Sequence, residues 1–199
     1  VRSKMRRGLK RCEVSQVSLD DFIPVAHSIY EAAHRGYATP SDPAVAKPAF
    51  DAILERERGH SQVRHYWVAR IEGQPVAYAK VIVHDKVEAD YTALKFDPEQ
   101  LKHYPSYAMI HEMNRFYLQE QGFSYVNDGQ RSILHDTNFQ EFLVKDLLFE
   151  RAPLKLFVHY STAFGAGMHL CRALRGVRRI KSNPKVAALL ELDGCASRV

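Results

Sequence analysis

The chain has 199 residues, 46% apolar and 26% charged, with a formal net charge of +5 and a pI near 9.1. This is the composition of a globular domain, long enough to bury a core without disulfide or metal staples, and it excludes a low-complexity tract or a helical membrane span of ~18–20 apolar residues. The cysteines, Cys12, Cys171 and Cys195, are three in number, far apart and without a CxxC pair. That argues against a disulfide framework or a zinc ribbon, so no metal and a reducing, cytoplasmic setting are expected.

The positive excess favours anionic partners such as a nucleotide phosphate, CoA or RNA, and equally describes an ordinary basic surface. The N-terminus is basic without the apolar stretch of a signal peptide, and it opens on Val, as a fragment of a longer protein would. Arg2, Lys4, Arg6, Arg7, Lys10 and Arg11 form either a short basic helix or, more simply, a solvated, frayed end.

Residues 13–17 alternate as a short strand does. Ser18 then reads as an N-cap with Asp20 and Asp21 in the first turn, and Phe22, Val25, Ala26, Ile29, Tyr30 and Ala33 follow at helical spacing up to Gly36. A second, more polar helix is expected over 44–58 with Phe50, Ile53 and Leu54 inward. Strands at 66–71 and 76–83 flank Glu72-Gly73-Gln74, a tight hairpin, and a third strand at 89–96 follows the turn at His84-Asp85-Lys86. Pro105 and Ser106 open a helix that buries Met109, Ile110, Met113, Phe116 and Tyr117 and stops at Gly122. A strand at 123–126, a turn at Asn127-Asp128-Gly129, a helix over 139–148 and a strand at 154–160 complete the core. Helices at 163–175, weakened by Gly165 and Gly167, and from Pro184 to Leu190 are expected in the tail.

The order β-α-α-β-β-β-α-β-α-β combines an antiparallel meander with a parallel crossover over 89–126, hence a mixed, largely antiparallel α/β sheet flanked by helices in three layers. With its hairpin at 67–83, its crossover at 89–126 and its helix at 138–149 before a final strand, the chain resembles the GNAT superfamily of acyl-CoA-dependent N-acyltransferases over about residues 13–160. The resemblance implies one domain spanning 1–199, with 161–199 as a C-terminal extension. It also implies transfer of an acyl group from acetyl-CoA or another acyl-CoA to a small-molecule or peptide amine. Arg6-Arg7-Gly8-Leu9-Lys10 and Tyr125-Val126-Asn127-Asp128-Gly129 resemble the Fem-like branch, which implies an aminoacyl-tRNA donor as an alternative. Most GNAT enzymes carry an Arg/Gln-x-x-Gly-x-Gly/Ala loop before the crossover helix. Segment 97–108 holds no glycine, which leaves open a non-catalytic binding module with the same fold.

Three places carry candidate chemistry. The N-terminus of the helix at Ser106, Tyr107 and Ala108, with Lys102 and His103 beside it, can hold a phosphate of the donor, or is a plain capped helix. Asn138 is a further donor-side candidate. The polar loop 127–138 lies at the carboxyl end of a strand, where open α/β sheets bind ligands. There Asp128 and His135 are candidate bases, and Asn127, Arg131 and Ser132 are candidate acceptor contacts. Asp-Gly also makes a turn unaided, and Thr137 and Asn138 also suit a helix cap. Glu88 and Asp90 can deprotonate an incoming ammonium or line a solvated strand edge. Tyr160 can protonate a leaving thiolate or simply pack.

Overall fold

The structure is a computed structural model that describes residues 1–36, 43–129, 139–152, 158–173, 186, 187, 189, 190 and 194. The chain divides into two compact units, Val1–Gln130 and Arg131–Val199.

The first unit is built on a five-stranded sheet in the order β1-β2-β3-β4-β5, with β1 at Glu13–Val17, β2 at Arg64–Ile71, β3 at Gln74–His84, β4 at Glu88–Phe96 and β5 at Tyr125–Asn127. The first four strands run antiparallel, and β5 joins β4 in parallel. Both tight turns come from local chemistry. Glu72 and Gly73 sit at φ 50° and 79°, and Asp85 and Lys86 at φ 47° and 58°. Two successive positive φ values give the turn whose twist matches the flanking strands. The parallel pair needs a crossover, supplied by α4 (Pro105–Asn114) and the π-helical turn Arg115–Glu120.

Each face of the sheet has its own cover. On one face, α2 (Leu19–Arg35) is capped by Ser18, whose Oγ accepts from the Asp21 amide at 3.1 Å. It lays Phe22, Ala26 and Ile29 onto Tyr66, Val68 and Tyr78. The Phe22 ring meets Tyr66 at 4.8 Å and Tyr78 edge-on at 5.2 Å. α3 is shorter than expected, Lys47–Glu55. Leu54 is buried and Phe50 packs beside it, but Ile53 is 47% exposed, contrary to expectation. Phe50 and Leu54, four apart, share the stripe that faces α2, and so short a helix presents only one.

The other face carries α4, whose Met109, Ile110 and Met113 are fully buried together with Tyr117 in the π turn. Tyr117 accepts a hydrogen bond from Trp67 Nε1 at 3.0 Å, and His65 Nδ1 lies 2.9 Å from the same hydroxyl. An indole nitrogen only donates, so the Tyr117 oxygen is the acceptor of the Trp67 bond, and its hydroxyl also pairs with His65 Nδ1. Tyr91 completes the cluster by donating to Asn114 Oδ1 at 2.8 Å.

The basic N-terminus is not frayed. It forms α1, Arg2–Arg11, packed on the start of α4. Gly8 makes the approach possible, because a Cβ there would stand 2.6 Å from the Tyr104 carbonyl oxygen. Lys4 Nζ donates to the Tyr107 hydroxyl at 3.2 Å, and the Cys12 thiol points to the His103 carbonyl at 3.8 Å.

In the second unit, α5 spans Phe139–Leu147 with Leu143 buried, and Glu141 pairs with Lys145 and Arg151. α6 runs through Gly165 and Gly167 as Thr162–Ala173. Residues 153–157 of the expected last strand and most of the helix expected from Pro184 lie outside the described residues; 158–160 are not strand. No described helix is long and apolar enough to cross a membrane.

Replacing Tyr117 with Phe leaves the Trp67 N–H buried without an acceptor, and the expected loss is about 1–3 kcal/mol by denaturant unfolding. Burial holds the His65 pKa below its ordinary 6.5. The unfolded chain therefore takes up a proton near that pH that the folded state refuses, so this group's contribution is intact above pH 6.5 and is lost as pH falls. The drop in Tm between pH 7.5 and 5.5 should shrink in His65→Gln.

Candidate active site

The site grows from the way β4 meets β5. Pairing covers only Glu88 with Tyr125, Ala89 with Val126 and Asp90 with Asn127. β4 then runs on to Phe96, while β5 ends at Asn127. Just past the paired stretch β4 carries a bulge: Val81 pairs with Tyr91 and Lys80 with Ala93, which leaves Thr92 over. The Thr92 hydroxyl donates to the Lys80 carbonyl at 3.1 Å. A bulge bends and twists its strand, so β4 turns away where β5 stops. Among the described residues, 91–96 have no strand on the β5 side.

Three carboxyl groups gather at this fork. Glu88 accepts from Asn127 Nδ2 at 2.9 Å and from the Tyr125 hydroxyl at 3.1 Å. Asn127 Oδ1 in turn accepts the Gly129 amide at 2.8 Å, which folds the chain back just after β5. Asp90 is half-buried, and its Oδ1 has no hydrogen-bond partner among the described residues. Burial, then the charge of Glu88, push its pKa up, with His84 opposing. Asp128 is half-buried too, and burial, then the charge of Asp90, lift its pKa to about 7. The Glu88–Asp90 pair is therefore not the solvated strand edge that its sequence also allowed. Ionising either Asp90 or Asp128 is costly for these reasons, so both hold a proton more strongly than a solvated carboxyl group does. No described group of three or more His, Cys, Asp or Glu residues is arranged to hold a metal ion.

On the face of β4 that bears Asp90, the register continues through Ile82 and Lys80 to Tyr66. Glu57 lies over this row, accepting from Lys80 Nζ at 2.5 Å and from the Tyr66 hydroxyl at 3.0 Å, with Arg64 at 3.6 Å. Sequence reading passed over this cluster. Its signal was Lys80 standing inside the apolar run of β3, between Ala79 and Val81.

At the other candidate, the glycine-free segment folds as a 3₁₀ helix, Pro98–His103, and Tyr104 takes a left-handed φ of 62° before Pro105 opens α4. Lys102 is exposed and Ser106 half-buried, while Tyr107 and Ala108 are buried, and the Ala108 amide donates to the Tyr104 carbonyl at 3.2 Å. Tyr160, in the second unit, is half-buried with its ring 5.6 Å from Phe164. Arg131, Ser132, His135 and Asn138 lie outside the described residues.

No family model and no curated protein matches this sequence. Solved structures do match the fold. A possible acetyltransferase from Clostridium difficile 630 is similar with a TM-score of 0.56 at 9% identity, over 76% of this chain and 98% of its own. The ribosomal-protein-S18-alanine N-acetyltransferase of Escherichia coli is similar with a TM-score of 0.53 at 17% identity, over 76% and 86%. A predicted acetyltransferase of Clostridium acetobutylicum, solved with acetyl-CoA, is similar with a TM-score of 0.53 at 11% identity, over 74% and 96%. The chain has the GNAT fold, a mixed five-stranded α/β sheet with helices on its faces.

Asp128 gives a stability test with a definite sign. Its folded pKa of about 7 exceeds its ordinary 3.8. The folded state keeps a proton that the unfolded chain releases, so this contribution is complete below pH 3.8 and is lost as pH rises through about 7. Asn imitates the neutral acid. The Tm of Asp128→Asn should therefore gain on that of the parent protein between pH 5 and pH 8.

Proposed function

We propose that this chain is an N-acyltransferase that moves an acyl group from an acyl-CoA, with acetyl-CoA the default, to the amine of a small molecule or peptide. The observation that carries this reading is the fork itself: parallel strands paired over three residues, a bulge at Thr92 and a half-buried carboxyl group at Asp128 that titrates near 7. The acyl donor lies in the gap beyond Asp90, with Lys102, Ser106, Tyr107 and Ala108 at the α4 start. Asn127 contacts the acceptor.

The chemistry removes two protons from the acceptor nitrogen and returns one to the departing sulfur. An ammonium acceptor cannot attack a thioester until it loses a proton, and Asp128 is the base that takes it, with Glu88 and His135 as further carriers. The amine nitrogen then bonds to the acyl carbon, loses its second proton to water, and the C–S bond breaks. The thiolate leaves with a proton from water. A base works best when its pKa is near the working pH, and about 7 meets that condition.

Burial of Tyr107 and Ala108, with Lys4 bonded to the Tyr107 hydroxyl, favours a second reading. In it the fold takes an aminoacyl-tRNA donor, as Fem-like enzymes do, or binds a ligand without catalysis.

Thiol release from acetyl-CoA should be measured with a panel of amines that titrate well away from pH 7. The expected kcat/KM rises through a pKa of about 7. In Asp128→Asn that limb disappears and kcat/KM falls by about 10²–10⁴-fold. A chain that gains no thermal stability from millimolar acyl-CoA and transfers nothing rules out the first reading.

A further inference from the structure

We propose that the solvent face of α1 is a docking surface for the phosphate strand of a nucleic-acid duplex. This does not depend on acyl transfer and holds for either reading above.

Helix α1 carries Arg2, Arg6, Arg7, Lys10 and Arg11 and no acidic residue. All five are exposed, and none has an ion-pair or hydrogen-bond partner among the described residues. Elsewhere in the unit some exposed cations are answered, Arg58 by Asp20 and Glu55, Arg115 by Glu112 and Glu120, Lys47 by Asp51, and others, Arg35, Arg56, Lys86 and Lys102, stand singly, whereas α1 gathers five on one short helix. At 100° per residue the five cations span about half the helix circumference, opposite the side where Gly8 and Cys12 meet the α4 start. That anchoring turns what would be a mobile tail into a fixed array, so the ordering cost is met by folding and not by binding.

The geometry decides what fits. A basic amphipathic helix enters a lipid surface with its apolar face. Here the apolar face is already used: Gly8 is buried and Met5 and Leu9 are half-buried. A single small anion would engage only part of an array that a ten-residue helix spreads over about 15 Å. A duplex presents one phosphate per about 1.7 Å of axis over its two strands, so a stretch as long as the helix carries enough of them to meet all five cations. Four of the five cations are arginine, the side chain whose planar fork grips phosphate in two places. An array of unpaired arginine and lysine side chains on one helix face makes its main contribution through phosphate contacts, which position a duplex without reading its sequence.

The test measures binding of the full chain to fluorescent 20-base-pair RNA and DNA duplexes by anisotropy, from about 50 to 200 mM salt, beside vesicles with anionic lipid. Five phosphate contacts predict a log–log salt slope of about −4.5, a loss near 500-fold over that range. Arg6→Gln, Arg7→Gln and Lys10→Gln together leave two contacts, and the slope should fall to about −1.8, a loss near 12-fold. The three positions are exposed, so Tm and the far-UV spectrum should stay unchanged. Binding to either duplex with these slopes supports the proposal, and the stronger of the two identifies the nucleic acid. Absence of duplex binding at 50 mM salt, binding that the triple variant retains with its full slope, or binding to vesicles alone overturns it. Failure of this assay leaves acyl transfer standing, and failure of acyl transfer leaves this assay standing.

Discussion

The constraint on which the first unit depends is the parallel pairing of β4 with β5. A parallel pair cannot be closed by a turn, so the chain must leave β4, cross one face of the sheet as α4 and return. That crossover covers one face with Met109, Ile110, Met113 and Tyr117 and leaves the other to α2 and α3. It also delivers β5 beside the first residues of β4 only. The bulge at Thr92 then bends β4 away, and the fork follows from these two facts.

The fork concentrates charge. Glu88 and Asp90 project from β4 on one face because they are two apart in a strand, and Asp128 follows directly on β5. Three carboxyl groups near one another in a half-buried place cannot all ionise cheaply. Asn127 and Tyr125 neutralise part of the problem by donating to Glu88. Asp90 Oδ1 has no hydrogen-bond partner among the described residues, and burial, then a neighbouring carboxylate, raises the proton affinity of both Asp90 and Asp128. Such an arrangement costs stability near neutral pH, because the folded state must ionise carboxyl groups that it has buried near one another.

The two covers of the sheet differ in kind. The α2 side is an aromatic and aliphatic core around Phe22, Tyr66 and Tyr78. The α4 side contains polar groups buried among aromatics: Trp67, Tyr117, His65, Tyr91 and Asn114, bonded to one another. Helix α1 adds a third layer over the start of α4, with Gly8 against the Tyr104 carbonyl, Lys4 on the Tyr107 hydroxyl and Cys12 at the His103 carbonyl. It thereby fixes a cationic face that points away from the α4 start and into solvent.

Much of this was legible in the residues. Ser18 with Asp20 and Asp21 announces α2, Glu72-Gly73 announces its turn, and the meander followed by a crossover limits the sheet to a few topologies, because caps, turns and periodicity act over a few residues. The anchoring of α1, the exposure of Ile53 and the bulge at Thr92 were not legible. Each depends on what another element presents across space: the Tyr104 carbonyl to Gly8, α2 to α3, the Lys80 carbonyl to Thr92. The sequence alone determined which residues carry acid, base and charge. Only the tertiary structure decided that Asp90 and Asp128 share one low-dielectric place, because a carboxyl group's proton affinity is set by its surroundings and not by its neighbours in the chain.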